Sequence, residues 1–134
     1  GKVFSASEWE ETLSRAKDSP YAEGAMIQVA APKQLFQEIR CWIVGDRVVT
    51  ASTYKVGKEV VYREYLDLDG RQFAGRMLQL FQPAMAYVLD ICLTHQGWKI
   101  VEVNCINSAG FYACDLQRLI LSLEAYNETQ YWSY

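Results

Sequence analysis

Two strand-like runs on either side of His95-Gln96-Gly97 constrain this chain more than any other feature. In the first run the odd positions Tyr87, Leu89, Ile91 and Leu93 are all apolar. In the second, Val101, Val103 and Cys105 are apolar, and only Lys99, beside the turn, breaks the pattern. Successive side chains of a strand point to opposite faces, so the odd positions define a core face. The even positions put Asp90, Glu102 and Asn104 together on the other face. Both core faces of a hairpin must lie on one side, which fixes the parity of the register. A three-residue loop, His95-Gln96-Gly97, meets that condition and places Asp90 directly opposite Glu102, with Asn104 two residues on. A two-residue Gln96-Gly97 turn sets Asp90 against Val103 and scrambles the faces. Carboxylates directly opposed on a sheet repel, and a cation between them reverses the sign. Two carboxylates and an amide oxygen are hard ligands, suited to magnesium or manganese rather than zinc, and they leave positions for phosphate oxygens. The opposing reading is a solvated sheet face with scattered polar residues.

The rest of the chain has the apolar content to bury such a core face. Of 134 residues, 51% are hydrophobic, with nine Tyr, five Phe and four Trp, which implies one domain over residues 1–134. Charged residues make up 22% and the net charge is −3, without the basic stripe of a general nucleic-acid binder. Cys41, Cys92, Cys105 and Cys114 show no CxxC spacing and read as reduced, mostly buried thiols of a cytoplasmic protein. No stretch approaches a transmembrane span and none resembles a signal peptide, so no membrane partner is expected. The chain opens on Gly1-Lys2-Val3-Phe4, strand-like sequence without an initiator Met, and is read as a fragment of a longer protein.

Residues 2–5 read as a short strand, and Ser7 as the N-cap of a helix running to about Lys17, with Glu10 completing a capping box. Asp18-Ser19-Pro20 ends it. Residues 26–31 form an apolar run, expected to be a buried strand closed by Pro32. Residues 35–44 and 48–54 flank Gly45-Asp46, a two-residue hairpin turn, and periodicity leaves residues 55–64 open between strand and loop. Phe73, Met77, Leu78 and Phe81 predict a helix over 71–82 that ends near Pro83. Strands over 86–94 and 98–105 lead through a loop to a final helix from about 114 to 126, with Leu116, Leu119, Ile120 and Leu123 on its inner face. The expected class is α+β, a mainly antiparallel sheet with helices on one face.

Two families place acidic residues across a hairpin in this way. Nucleases of the restriction-endonuclease type carry Asp and Glu-x-Lys, but here Asn104 stands in place of the Lys and no basic surface for DNA accompanies it. The run Val101-Glu102-Val103-Asn104, followed by Ser108-Ala109-Gly110-Phe111, resembles the metal-binding signature of ATP-grasp enzymes. That resemblance implies that Asp90, Glu102 and Asn104 coordinate magnesium bridging the phosphates of ATP. It also implies that Gln28, Val29 and Ala30 belong to the hinge whose backbone holds adenine. By the same resemblance Glu38 reaches the ribose, Arg40 reaches the phosphates or an acyl-phosphate, and Lys2 touches phosphate.

The likeness covers nearly the whole chain but only the C-terminal subdomain of an ATP-grasp unit, and it is nearest to a clade implicated in amide ligation on peptides or proteins. The implied activity is ATP-dependent carboxylate–amine ligation through an acyl-phosphate. The missing N-terminal subdomain would be a partner, and the fragment alone is expected to be inactive. A nucleotide-binding module without catalysis is the alternative. Blander readings stand beside these: a surface ion pair for Glu38 and Arg40, a solvated Lys2, a turn position for His95 and core packing for Cys105. Trp42 and the Tyr131-Trp132-Ser133-Tyr134 tail are read as packing surfaces.

Overall fold

The computed structural model describes residues 3–15, 26, 29–65 and 67–131, with only the backbone described at Ser108, Gln130 and Tyr131. It divides into two units, Gly1–Lys33 and Gln34–Tyr134.

In the first unit, helix α1 (Ala6–Ser14) starts two residues earlier than the sequence predicts. Ser5, not Ser7, is the N-cap: its hydroxyl accepts from Glu8 N at 3.3 Å, and Ser5 N donates to Glu8 Oε2 at 2.7 Å. The sequence holds two overlapping capping boxes, and an aromatic contact chooses between them. With Ser5 as the cap, Phe4 and Trp9 occupy the two staple positions, and their rings meet edge to face at 5.5 Å. A cap at Ser7 would put Ala6 and Glu11 there instead. The short strand expected at residues 2–5 is absent at Val3, Phe4 and Ser5. The strand expected over 26–31 is likewise absent at the described positions: Met26 and Val29 are exposed and unpaired in any ladder. An apolar run becomes a strand only beside an edge that can take its backbone hydrogen bonds, and the described residues of this unit hold none.

The second unit is a five-stranded antiparallel sheet in the order β3-β2-β1-β4-β5. Strands β1 (Gln37–Val44) and β2 (Arg47–Val56) are joined at Gly45-Asp46, where Gly45 has φ +60, the left-handed conformation that a tight hairpin turn requires. A second turn through Gly57 leads to β3 (Glu59–Arg63), so the segment left open by periodicity continues the sheet. Helix α2 (Leu68–Leu80) begins three residues before its predicted start because the Asp67 carboxylate caps it, accepting from Gly70 N. Strands β4 (Ala86–Thr94) and β5 (Gly97–Cys105) follow. A 3-10 turn, Ile106–Ser108, then leads to α3 (Leu116–Tyr131).

The fold is α+β, as expected. Its helices, however, are divided between the faces, because β1 is apolar on both. Ile39, Cys41 and Ile43 pack with Ala74 and Leu78 of α2, whereas Trp42 and Val44 pack with Leu119 of α3. On α3 the inner stripe is Leu119, Leu123 and Tyr126, and the expected inner residues Leu116 and Ile120 are exposed. Phe81 is exposed as well, since it terminates α2 in extended backbone. No described helix is long and apolar enough to cross a membrane.

Candidate functional site

The β4–β5 hairpin places Asp90 opposite Glu102, the pairing that alternation predicts. It reaches that pairing by a different route. The turn is tighter, with Thr94 paired to Gly97, and a bulge between Asp90 and Ile91 absorbs one residue of β5, so Ile91 faces Ile100. Gly97, at φ +80, allows the tight turn, and the Thr94 hydroxyl fastens it by donating to Gly97 O at 2.8 Å. Parity therefore holds from residue 87 to 90 and fails nearer the turn. Strand β5 is also an edge strand, so Val101 and Val103, expected on its core face, are exposed, as is Ile100 of the opposite parity. Cys105, expected in the core, is exposed for the same reason.

Asp90 is buried to 1% exposure in the middle of the sheet, directly across from Arg40 of β1. The guanidinium grips it with two hydrogen bonds, Arg40 Nε to Oδ1 at 2.9 Å and Arg40 Nη2 to Oδ2 at 2.8 Å. This parallel fork is the strongest geometry available to an Arg–carboxylate pair. The third guanidinium nitrogen, Nη1, donates to Gly110 O at 3.2 Å. The cation expected between the facing carboxylates thus has a counterpart built into the protein. Burial pushes the Asp90 carboxyl up, the Arg40 hydrogen bonds and charge oppose that rise, and Glu102 adds to it; the net direction is up.

Glu102 is exposed, and its Oε1 accepts from Asn104 Nδ2 at 2.9 Å, which leaves the Asn104 carbonyl oxygen clear of that bond. Among the described residues no group of three or more His, Cys, Asp or Glu side chains converges, so the candidate donor set is two carboxylates and one amide. Each carboxylate oxygen has two lone pairs. The Arg40 fork uses one on each Asp90 oxygen, and the set still fits a hard divalent cation by its chemistry.

Glu38 and Arg40 share a face of β1 but do not pair with each other. Glu38 Oε1 lies 2.8 Å from Lys55 Nζ, and Oε2 accepts from the Tyr54 hydroxyl at 3.1 Å. Burial, then the Asp90 and Glu38 charges, push the Tyr54 hydroxyl well up, so at neutral pH it remains a donor. Five predicted site residues, Glu38, Arg40, Asp90, Glu102 and Asn104, are therefore brought to one face by β1, β4 and β5. Val29 and Ala30 are exposed residues of the Gly1–Lys33 unit, and Lys2 and Gln28 lie outside the described residues.

A family model, the ATP-grasp domain of R2K clade family 3, matches residues 1–123. The chain belongs to the ATP-grasp superfamily. No curated protein matches it. Among solved structures it is similar to the ATP-grasp ligase PsnB complexed with minimal precursor, at 17% identity and a TM-score of 0.47. The match covers 75% of this chain and 36% of that one, so the chain spans about a third of the PsnB chain's length.

Sequence reasoning missed several residues that surround the site of this ATP-grasp chain. Tyr54 ends the expected strand over 48–54 and Lys55 opens the segment that periodicity left undecided, and they meet Glu38 only through the β1–β2 pairing. Tyr112 follows the signature loop and stacks on Tyr54 and Tyr62, with ring centroids 5.2 Å apart in each case. The Tyr54-Lys55 pair and Tyr112, which directly follows the Ser108-Ala109-Gly110-Phe111 run, carried no spacing signal that marked them.

Proposed function

We propose that the Asp90–Glu102–Asn104 face binds Mg²⁺ and ATP, and that the chain is the nucleotide-binding part of a carboxylate–amine ligase working through an acyl-phosphate. One observation carries the reading: the register that sets Asp90 opposite Glu102, with Asn104 on the same face and the Arg40 fork against them. Asp90, Glu102 and the Asn104 carbonyl would hold the metal, whose role when bound is to neutralise charge on the phosphoryl group. Arg40 keeps a fixed positive fork beside the carboxylates, and its burial strengthens its pull on developing negative charge. Glu38, immobilised by Lys55 and Tyr54, is an acceptor for a ribose hydroxyl. Positioning and electrostatics supply the catalysis, so no protein nucleophile is required. The carboxylate and amine substrates, small molecules or peptides, belong to the same proposal, as do a cytoplasmic location and a second subdomain completing the cleft.

A second reading, a nucleotide-binding module without ligation, is favoured by the bidentate Arg40–Asp90 pair, which already neutralises the central carboxylate. Calorimetry of Mg²⁺–ATP with the wild-type chain, Glu102→Gln and Asn104→Ala tests the site. The expected result is binding that falls at least about tenfold in each variant, an interaction of charge-assisted strength; undiminished binding in both would sink it. With the proposed second subdomain present, ADP release that requires an added carboxylate then separates ligase from module.

A further inference from the structure

We propose that Tyr112 is a positioning residue that holds the Arg40 guanidinium on Asp90. Among the described residues Tyr112 is the one non-glycine with a positive φ, +53. A tyrosine held there is strained, and such strain persists only where the surroundings over-determine it. The surroundings do so on both sides. Gly110 O accepts from Arg40 Nη1, Ala113 N donates to Ser52 Oγ at 3.2 Å, and Asp115 N donates to Thr50 Oγ1 at 3.0 Å. Ser52 is itself the β2 residue paired with Arg40. The loop is thus fastened to the strand next to Arg40, with Tyr112 between the fastenings.

The ring is not held there to be buried, since Tyr112 is 42% exposed. It stacks instead with Tyr54 and with Tyr62, at interplanar angles of 21° and 12°. The centre of the Arg40 guanidinium sits 4.9 Å from the Tyr112 ring centroid, against 5.8 Å for the Tyr54 ring. The hydrogen bonds to Asp90 fix two edges of the fork, and the aromatic ring restricts the motion that would carry it off the carboxylate. A contact of this class is worth a factor of about 2 to 30 in the balance between a held and a released guanidinium. The inference rests on the proposed function only in taking Arg40 as the group that meets phosphate.

The test uses the ¹⁵N-labelled 134-residue chain and follows hydrogen exchange of the Arg40 Nε–H by NMR. Tyr112→Gly removes the ring while glycine accepts the positive φ without strain, and Tyr112→Phe keeps the ring. Tyr62→Ala removes the outer leaf of the stack and leaves the loop sequence intact. Exchange should accelerate in Tyr112→Gly within that range, less in Tyr62→Ala, and not in Tyr112→Phe. Unchanged exchange in Tyr112→Gly, or equal acceleration in Tyr112→Phe, overturns the proposal. Mg²⁺–ATP calorimetry adds a second readout: Tyr112→Gly should weaken binding in the wild-type background and not in Arg40→Ala. A wild-type chain that binds no Mg²⁺–ATP defeats the proposed function, while the Nε–H exchange still decides the role of Tyr112.

Discussion

At Asp90 the ligand-free protein works against its own stability. An acid whose folded-state pKa is raised contributes stability that is fully present below its unfolded value, about 3.9, and is lost as pH rises through the folded value. Glu102 is one of the causes of that rise. Glu102→Gln should therefore stabilise the ligand-free chain at neutral pH by about 0.2–1 kcal/mol, the range for relieving opposed like charges on a sheet. Urea denaturation at pH 7 and at pH 3 checks this: the gain should be seen at pH 7 and vanish at pH 3, where the Asp90 carboxyl, pushed up by burial, is protonated and no longer opposes a charge at residue 102. A variant that gains stability while losing Mg²⁺–ATP affinity is the signature of a residue kept for binding. A loss of stability at pH 7 would show that Glu102 is part of the scaffold instead.

The elements are set by local chemistry wherever a turn or a cap decides them, and two glycines show how far that reaches. Gly45 and Gly57 both close hairpins with φ near +60. A Cβ on Gly57 meets nothing within 4 Å, whereas a Cβ on Gly45 would lie 3.0 Å from Tyr126 Cε2 on α3. Gly57→Ala should therefore cost only backbone strain, about 1–2 kcal/mol. Gly45→Ala should cost about 1–3 kcal/mol more, because the partly buried Tyr126 ring must move. Equal urea midpoints for the two variants would refute the close approach of α3 to the β1–β2 turn. The turn's need for glycine was legible in Gly45-Asp46; the helix lying against it was not.

Across the whole molecule, β1 is the best protected strand, with α2 on one face and α3 on the other, while β5 is an open edge. The cysteines report this gradient. Burial pushes the Cys41, Cys92 and Cys114 thiols up, Cys41 furthest, and Cys105 on β5 is exposed. The thiolate is the reactive form, so iodoacetamide at neutral pH should label Cys105 first and reach Cys41 only on unfolding. Peptide mass spectrometry with native Cys41 labelled as fast as Cys105 would contradict the sheet order. By itself the sequence determined the strands of the β4–β5 hairpin, the shared face of Asp90, Glu102 and Asn104, and the family signature. Alternation and turn chemistry act between neighbours a few residues apart, and they can be read directly. Only the tertiary structure decided that Arg40 would meet Asp90, fifty positions away, and that the Tyr112 ring would lie against Arg40. Those contacts depend on which strand lies beside which, and strand order is settled by burying both faces of β1 at once, a condition that no local pattern encodes.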